Sequence, residues 1–269
     1  MNERFPLPVR RVLAIVLRHI YVLRGSPPRI LEMAYWPTVQ MILWGFISKF
    51  FVGHSEWVAQ AAGVLIAGVL LWDVLFRANI GQAVGFMEEM WSRNLGHLFV
   101  SPLRPYEFLV GTMTMSLVRT TVGVLPAALL AIPFYDFNVF GLGWPLATFF
   151  ASLMMFGWAI GVFISGILLR FGLGAESLAW AFVFAFGPIS GIYYPISVLP
   201  EWLQAIALAA PPAHVFEGMR AVLFEGRVDT HHMAAAFGLN LLYLGAAAAF
   251  FLAMVTSARR RGQLLDLGE

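Results

Sequence analysis

A chain of 269 residues that is 60% hydrophobic and only 12% charged is not a water-soluble globular protein, because a soluble surface needs roughly a quarter of its residues charged. The net charge of +2, spread over many short segments, argues against a nucleic-acid partner. The sequence has no cysteine, which excludes disulfides, thiol nucleophiles and thiolate metal sites. These properties indicate an integral membrane protein.

The first segment, residues 1–29, predicts a helix lying in the membrane interface. Leu7–Arg24 carries apolar residues at helical spacing, and arginines occupy the rest of its surface. Ser26-Pro27-Pro28 should then break this helix and turn the chain into the membrane.

Six apolar runs are each long enough, or nearly so, to cross about 30 Å of hydrocarbon at about 1.5 Å per residue. They are Leu31–Phe51, Val58–Phe76, Phe108–Phe134, Trp144–Leu169, Ser177–Tyr194 and Met233–Thr256. Arginines concentrate before the first run, in every second loop and after the last run. The positive-inside rule therefore predicts cytoplasmic termini. We expect an all-α, polytopic protein of a bacterial inner membrane, with one domain over residues 1–269 and six transmembrane helices.

Two segments between the spans differ from simple loops. Residues 78–106 form the longest cytoplasmic insertion, and its apolar spacing predicts a short amphipathic helix over Phe86–Ser101 whose apolar face must be covered by lipid or by a partner protein. Residues 188–227 are cut by five prolines into pieces too short to cross a bilayer. They predict short re-entrant or surface helices at the external face.

Small residues and intramembrane charges suggest how the spans pack. Gly157, Gly161 and Ser165 recur every fourth residue, which permits close helix contact. Asp73 and Arg77 should pair across one helical turn. A lone cation in mid-membrane costs at least about 2.5–3.5 kcal/mol. Either Arg119 faces protein or water, or the third span enters the hydrocarbon later than its apolar run suggests.

The sequence carries no convincing catalytic site of its own. A phosphate-binding loop needs a lysine after its second glycine, and the only lysine, Lys49, follows Ser48 at the end of a span. His214 and Glu217 lie one helical turn apart, a spacing more typical of a local hydrogen-bonded cap than of a metal or acid–base site. A proton-coupled carrier would place several acidic groups near mid-bilayer. Their scarcity favours an external source of energy.

The segment Ile189–Leu223 contains a glycine, an aromatic-Pro pair, Leu-Pro-x-Trp-Leu and Pro-x-x-His-x-x-Glu-x-x-Arg. The positions of this pattern are Gly191, Tyr194, Pro195, Leu199, Pro200, Trp202, Leu203, Pro211, His214, Glu217 and Arg220. The pattern resembles the signature near the end of type-2 ABC exporter permeases. Upstream, Ser101-Pro102-Leu103-Arg104 and Glu107 resemble a second motif of that family.

The resemblance implies a six-span permease subunit that forms a homodimer and pairs with separate cytoplasmic ATPase subunits. ATP and Mg²⁺ would bind to those partners, with no cofactor in this chain. The Phe86–Ser101 segment would be the coupling helix that docks on the ATPase, and Leu7–Arg24 the connecting helix at the interface. The residues expected to contact the ATPase are Glu88, Glu89, Met90, Trp91, Arg93 and Leu95.

A hydrophobic or amphiphilic cargo, such as a drug, a glycolipid or a lipid-linked glycan, would suit this family. Tyr35, Trp36 and Trp44 in the first span either line its path or serve as packing and belt residues, and Arg119 is a further candidate for the path. Two alternatives remain open at this stage. One is a polytopic enzyme acting on lipids through His214 and Glu217, and the other is a gradient-driven secondary carrier that uses Arg119.

Overall fold

The computed structural model describes residues 6–52 and 56–262, and the regular secondary structure in these ranges is helical. Arg4 and the outermost residues of the expected domain lie outside the described residues. The ten α-helices of the described ranges are α1 (Leu7–Arg24), α2 (Pro27–Val52), α3 (Glu56–Trp91), α4 (Leu95–Val100), α5 (Pro105–Tyr135), α6 (Trp144–Phe171), α7 (Leu178–Phe186), α8 (Glu201–Leu208), α9 (Pro211–Glu225) and α10 (Thr230–Arg261).

Most of the predicted helices are confirmed. Helix α1 has the predicted bounds, since Pro6 is its N-cap and Gly25 its C-cap. Helices α2, α5, α6 and α10 contain the predicted first, third, fourth and sixth apolar runs and extend a few residues beyond them. Helices α8 and α9 are the two short pieces expected between the last two spans.

The predicted end of the second span and the single coupling helix after it are wrong. Helix α3 does not stop at Phe76 but continues to Trp91, giving 36 residues and a length of about 54 Å. Its apolar face stays buried beyond Phe76, at positions that include Phe86 and Met90. The helix ends where Arg93 adopts a left-handed φ of 52°, and α4 begins at Leu95. Phe86–Ser101 is therefore the end of one helix followed by a second, short helix.

The predicted fifth span is also wrong as a continuous helix. Helix α7 has nine residues, Leu178–Phe186, and covers only about 14 Å. Beyond it, Gly187–Tyr194 continues as turns and bends, because Pro188 lacks a backbone N–H and Gly191 has a φ of 71° that suits glycine. The segment is therefore apolar enough for a membrane span but is not one continuous helix.

Four helical segments of the described residues are long and apolar enough to cross a membrane. They are Gly63–Trp91, Pro105–Tyr135, Trp144–Ala175 and Thr230–Arg261. Helix α2, which carries Arg29, Glu32 and Lys49, is not among them, and neither is the short α7. The fold is that of a multi-pass helical membrane protein, and the count of six crossings stays a prediction.

Helices α3 and α6 pack in close contact through the predicted small residues. A β-carbon added at Gly157 would lie 2.5 Å from the β-carbon of Ala78, and one added at Gly161 would lie 2.7 Å from that of Gln82. Only glycine allows the two backbones to approach this closely. Because Gly157 meets Ala78 and Gly161 meets Gln82, the two helices run in the same direction.

Helix α10 runs parallel to α6. The amide of Asn240 donates to the Oγ of Ser152 at 2.7 Å, and fourteen residues along α6 a β-carbon at Gly166 would meet the ring of Phe250 at 2.7 Å. Helices α3, α6 and α10 thus form a parallel core whose C-terminal ends lie on the same side.

Helices α2 and α5 run together in the opposite direction to that core. A β-carbon at Gly123 would lie 2.7 Å from the carbonyl oxygen of Met33, and the Tyr135 hydroxyl donates to the carbonyl of Ile42 at 2.9 Å. The α5 hydroxyl of Ser116 donates to the carbonyl of Ala78 on α3 at 3.2 Å.

The segment containing α7 lies along α3 in the direction opposite to it. The Asn79 amide donates to the carbonyl of Ala179 at 2.8 Å, and a β-carbon at Gly68 would lie 3.1 Å from the carbonyl oxygen of Ile192. As the chain advances from Ala179 to Ile192, its α3 neighbours move back from Asn79 to Gly68. A helix and an irregular stretch therefore return the chain from the end of α6 toward the start of α10.

Candidate functional site

The bundle has one strongly basic end, called here the basic end. Helix α1, the starts of α2 and α5, and the C-terminal ends of α3, α6 and α10 meet there. Its arginines are Arg10, Arg11, Arg18, Arg24, Arg29, Arg93, Arg104, Arg170, Arg259, Arg260 and Arg261. The described cations of the opposite end are Lys49, Arg220 and Arg227.

Glu89 connects three elements at the basic end. Its side chain is buried on α3, and Arg18 of α1 donates to its Oε1 at 2.6 Å. The amide of Asn94, just before α4, donates to its Oε2 at 2.7 Å. A buried carboxylate is stable only when charged or polar partners replace its water. Glu89 therefore fixes the positions of α1 and α4 relative to the end of α3.

Two further carboxylates, Glu88 and Glu107, hold α1 and α5 at this end. Glu88 lies between Arg119 of α5, at 3.8 Å, and His19 of α1, at 3.9 Å. Arg11 of α1 donates to the buried Glu107 at 3.3 Å. Arg119 thus faces an acidic group of the protein, which is the first of the two alternatives left open by the sequence.

The predicted coupling residues separate into inward and outward groups. Glu89, Met90 and Leu95 are buried within the chain, and Glu88 faces His19 and Arg119. Trp91 is 49% exposed, and Arg93 lies on the surface as well. The surface that a partner could contact therefore consists of Trp91, Arg93 and the exposed side of α4, including Val100, while the inward group supports it.

The predicted path residues also differ in their surroundings. Tyr35 and Trp36 are both exposed and meet edge to face, with ring centroids 5.5 Å apart. Trp44 is partly buried and stacks on Tyr193, with centroids 4.7 Å apart and an interplanar angle of 19°. The stack attaches α2 to the segment that follows α7, so Trp44 has a packing role in the single chain.

Glu217 and Arg220 form a pinning site at the end opposite the basic end. Glu217 accepts from the backbone N–H of Ile196 at 2.7 Å and from Arg220 at 3.0 Å. The buried Arg220 also donates to the carbonyl of Gly191 at 2.6 Å. The predicted ion pair across one helical turn is confirmed. It holds the irregular segment between Gly191 and Ile196 against α9.

His214 has a partner that the sequence did not reveal. Its Nδ1 lies 2.9 Å from Nδ1 of His232, on the first turn of α10, and its Nε2 lies 2.8 Å from the carbonyl oxygen of Leu208. Burial is the main cause that lowers the pKa of His214, since it disfavours the charged imidazolium. The contact between His214 and His232 depends on helix packing that local spacing could not show.

The remaining residues of the external motif lie on the surface. Pro195 and Pro200 flank the short 3₁₀ turn before α8 and are exposed, and Trp202 on α8 is 68% exposed. The motif thus combines a buried, hydrogen-bonded part with an exposed rim. Within the described ranges, no three His, Asp or Glu side chains come close enough to hold a metal ion.

Comparison with protein families identifies most of this chain. The family model described as "ABC-2 type transporter" matches residues 27–224, from the start of α2 to the last turn of α9. A comparison with curated proteins finds no match.

Proposed function

The chain belongs to the ABC-2 type transporter family and is a membrane permease subunit of an ABC transporter, and from that premise we propose that it exports an amphiphilic cargo with ATP hydrolysed by a separate subunit. The observation that carries this proposal is the family match over residues 27–224 in a chain whose only lysine lies outside any phosphate-binding loop.

Six crossings in a bacterial inner membrane are the topology we propose. The alternating directions of α2, α3, α5 and α6, and the return of the chain along α3 between Ala179 and Ile192, support it. Helix α2, with 26 residues, is about 39 Å long, which is enough for a crossing. Irregular backbone after α7 is acceptable at membrane depth because it is packed on protein.

The basic end is proposed to face the cytoplasm, with both termini on that side. Positively charged loops are retained in the cytoplasm, and the described arginines are strongly concentrated at the basic end. Helix α1 would lie in the interface there, because its exposed side carries apolar residues such as Leu13 and Leu17. The pinning site of Glu217 and Arg220 would then face outward.

The ATPase is proposed to dock on Trp91, Arg93 and α4. A large exposed aromatic residue beside a basic one is typical of a protein-binding surface. Behind this surface, Glu89 links α4 to α1, and Glu88 links α3 to α5. Movement of α4 would therefore be passed to three helices. A homodimer of the permease would provide two such surfaces for two ATPase subunits.

The cargo class is proposed from what the chain offers at its surface. Tyr35 and Trp36 provide exposed aromatic rings on α2, which can stack on sugar rings or lie against acyl chains. The two alternatives gain no specific support. His214 and Glu217 are both engaged in structural hydrogen bonds, and Arg119 lies beside Glu88 near the basic end.

The proposal is tested by purifying the full chain in mild detergent and identifying its soluble partner. We expect a protein with a phosphate-binding loop, and ATP hydrolysis in proteoliposomes that contain the complex. With the ATPase below saturation, Trp91→Ala should lower ATP hydrolysis stimulated by the permease by about thirtyfold, since an exposed tryptophan anchor often contributes about 2 kcal/mol or more to an interface.

Trp202→Ala is the matched control, because Trp202 is also a surface tryptophan, 68% exposed against 49% for Trp91, but lies at the opposite end of the bundle. It should leave the stimulated hydrolysis unchanged. Sustained cargo movement or lipid turnover by the purified chain alone, without ATP, would contradict the proposal. Normal stimulation in the Trp91→Ala variant would remove the assigned docking surface.

A further inference from the structure

Two histidines join α9 to the first turn of α10, at the end of α10 opposite Arg259–Arg261. Nδ1 of His214 and Nδ1 of His232 lie 2.9 Å apart, and Nε2 of His214 lies 2.8 Å from the Leu208 carbonyl oxygen at the end of α8. His214 is 8% exposed. One imidazole thus connects three helices.

The hydrogen-bond partners fix where the protons lie. A backbone carbonyl oxygen only accepts, so Nε2 of His214 carries a proton and donates to Leu208. In neutral His214 the other nitrogen, Nδ1, is then an acceptor. The proton between the two rings must accordingly belong to Nδ1 of His232, which donates to His214.

The two rings respond differently to a further proton. A proton added to Nε2 of His232 leaves its Nδ1–H in place as a donor. A proton added to Nδ1 of His214 makes that nitrogen a donor, and the contact then survives if His232 carries its own proton on Nε2 and accepts through Nδ1. The contact is lost when both rings are fully protonated, because each Nδ1 then carries a proton and no acceptor is left between them.

Neighbouring acidic groups are occupied elsewhere. Glu217, one turn along α9, is bonded to Arg220 and the Ile196 backbone. Asp229 caps α10 by accepting from the backbone N–H groups of His231 and His232, and it also meets Arg227, which in turn pairs with Glu225. Helix α8 contributes only a carbonyl, and α6 contributes the apolar ring of Phe149 against Gly218. Helix α10 adds the exposed His231, whose ring centroid is 5.8 Å from that of His232, and the Tyr243 hydroxyl, which donates to the Ala209 carbonyl at 3.0 Å.

We propose that the His214–His232 pair is an acid-sensitive latch that holds the α8–α9 segment on α10 and releases α8 when both imidazoles are fully protonated. The released state lacks the bond between the rings and carries a charge that favours exposure to water. The part that can move is α8 with its link to α9, because α9 itself is buried and pinned by Glu217 and Arg220. The hydrogen bond from the Tyr243 hydroxyl to the Ala209 carbonyl is then the remaining tie between this link and α10. The latch follows from the geometry of the two rings and does not depend on the cargo or on the ATPase.

The pH at which the latch opens has a defined direction. Burial lowers the pKa of latched His214 below its ordinary value of 6.5. The released state then binds more protons than the latched state at pH values below 6.5. The stabilising effect of the latch is fully present above pH 6.5 and is lost as the pH falls through the lowered pKa. At neutral pH the segment is held closed.

Spin-label distance measurements test the latch in the intact chain. The absence of cysteine allows labels at two exposed alanines, Ala205→Cys on α8 and Ala234→Cys on α10. We expect one short distance near pH 7.5, and a longer-distance population that rises at least about threefold near pH 5.0, the range in which histidine titrates. An unchanged distribution over this range would overturn the proposal.

Two variants separate His214 from other titrating groups. In His214→Asn the amide oxygen can accept from Nδ1–H of His232 and the amide nitrogen can donate to the Leu208 carbonyl, but the side chain cannot be protonated in this range. The distance should therefore remain short at both pH values. The exposed His231→Asn is the matched control and should open like the parent. If His214→Asn still opens at low pH, the latch is refuted. In the parent protein, a midpoint of the pH-dependent distance change at or above pH 6.5 also refutes the latch. This second test does not depend on whether His214→Asn folds.

Discussion

Arg18→Gln is the substitution that best tests the network at the basic end. Arg18 donates to the buried Oε1 of Glu89 at 2.6 Å, and its side chain is 46% exposed. A hydrogen bond to a charged group contributes about 1.5–3 kcal/mol, and partial exposure favours the lower value because water screens the pair. A loss of about 1.5 kcal/mol would increase the undocked population of α1 by about tenfold.

Hydrogen–deuterium exchange of the amides in Leu7–Arg24 measures this population directly. We expect exchange about tenfold faster in Arg18→Gln, and no change in Arg24→Gln, the exposed arginine at the end of the same helix. Glu89→Gln should also accelerate exchange, and the double variant should be less affected than the sum of the two, since they remove the same contact. Exchange within twofold of the parent for Arg18→Gln would refute the role of this bond.

Three further predictions concern packing, the pinning site and α2. Gly157→Ala should lower the midpoint of thermal unfolding in detergent, because overpacking costs about 1–3 kcal/mol. The control Gly238→Ala, at a glycine with open space around it, should not lower it. Equal midpoints for the two variants would contradict the close contact of α3 with α6. Arg220→Lys should increase the rate of thiol labelling at the buried Ile192→Cys by about tenfold or more. One ammonium cannot bridge Gly191 and Glu217 as a guanidinium does. The control Arg227→Lys should leave the labelling rate unchanged. Trp44→Ala should lower the midpoint through loss of a stack contributing about 0.5–1.5 kcal/mol, with Trp44→Phe intermediate, and unaltered export of every cargo by Trp44→Ala would exclude a lining role.

The sequence predicted those elements whose limits are marked by local chemistry. Helix α1 has the predicted bounds because its apolar stripe lies between Pro6 and Ser26-Pro27-Pro28. The ion pairs Asp73–Arg77 and Glu217–Arg220 followed from spacing within one helix. In these cases the interaction lies within a few residues and needs no knowledge of the tertiary structure.

The predictions were wrong where contacts between distant parts of the chain determine the local structure. The apolar run of the second span ends at Phe76, before Arg77, yet Asp73 neutralises the Arg77 charge and the apolar face of α3 continues to Met90. Composition alone could not show that the chain breaks after Phe186, since broken and continuous apolar segments are equally hydrophobic. The partners Arg18 and Glu89 are 71 residues apart, so only the packing of α1 on α3 reveals their contact.

The unbroken length of α3 has a mechanical consequence. Its tight contact with α6, around Ala78 to Gln82, lies about 17 Å from Trp91 and about 36 Å from Glu56, at 1.5 Å per residue. If α3 pivots as a rigid helix at that contact, a displacement of about 2 Å at Trp91 gives one of about 4 Å at Glu56. A small movement at the basic end would thus give a larger movement at the opposite end of the bundle.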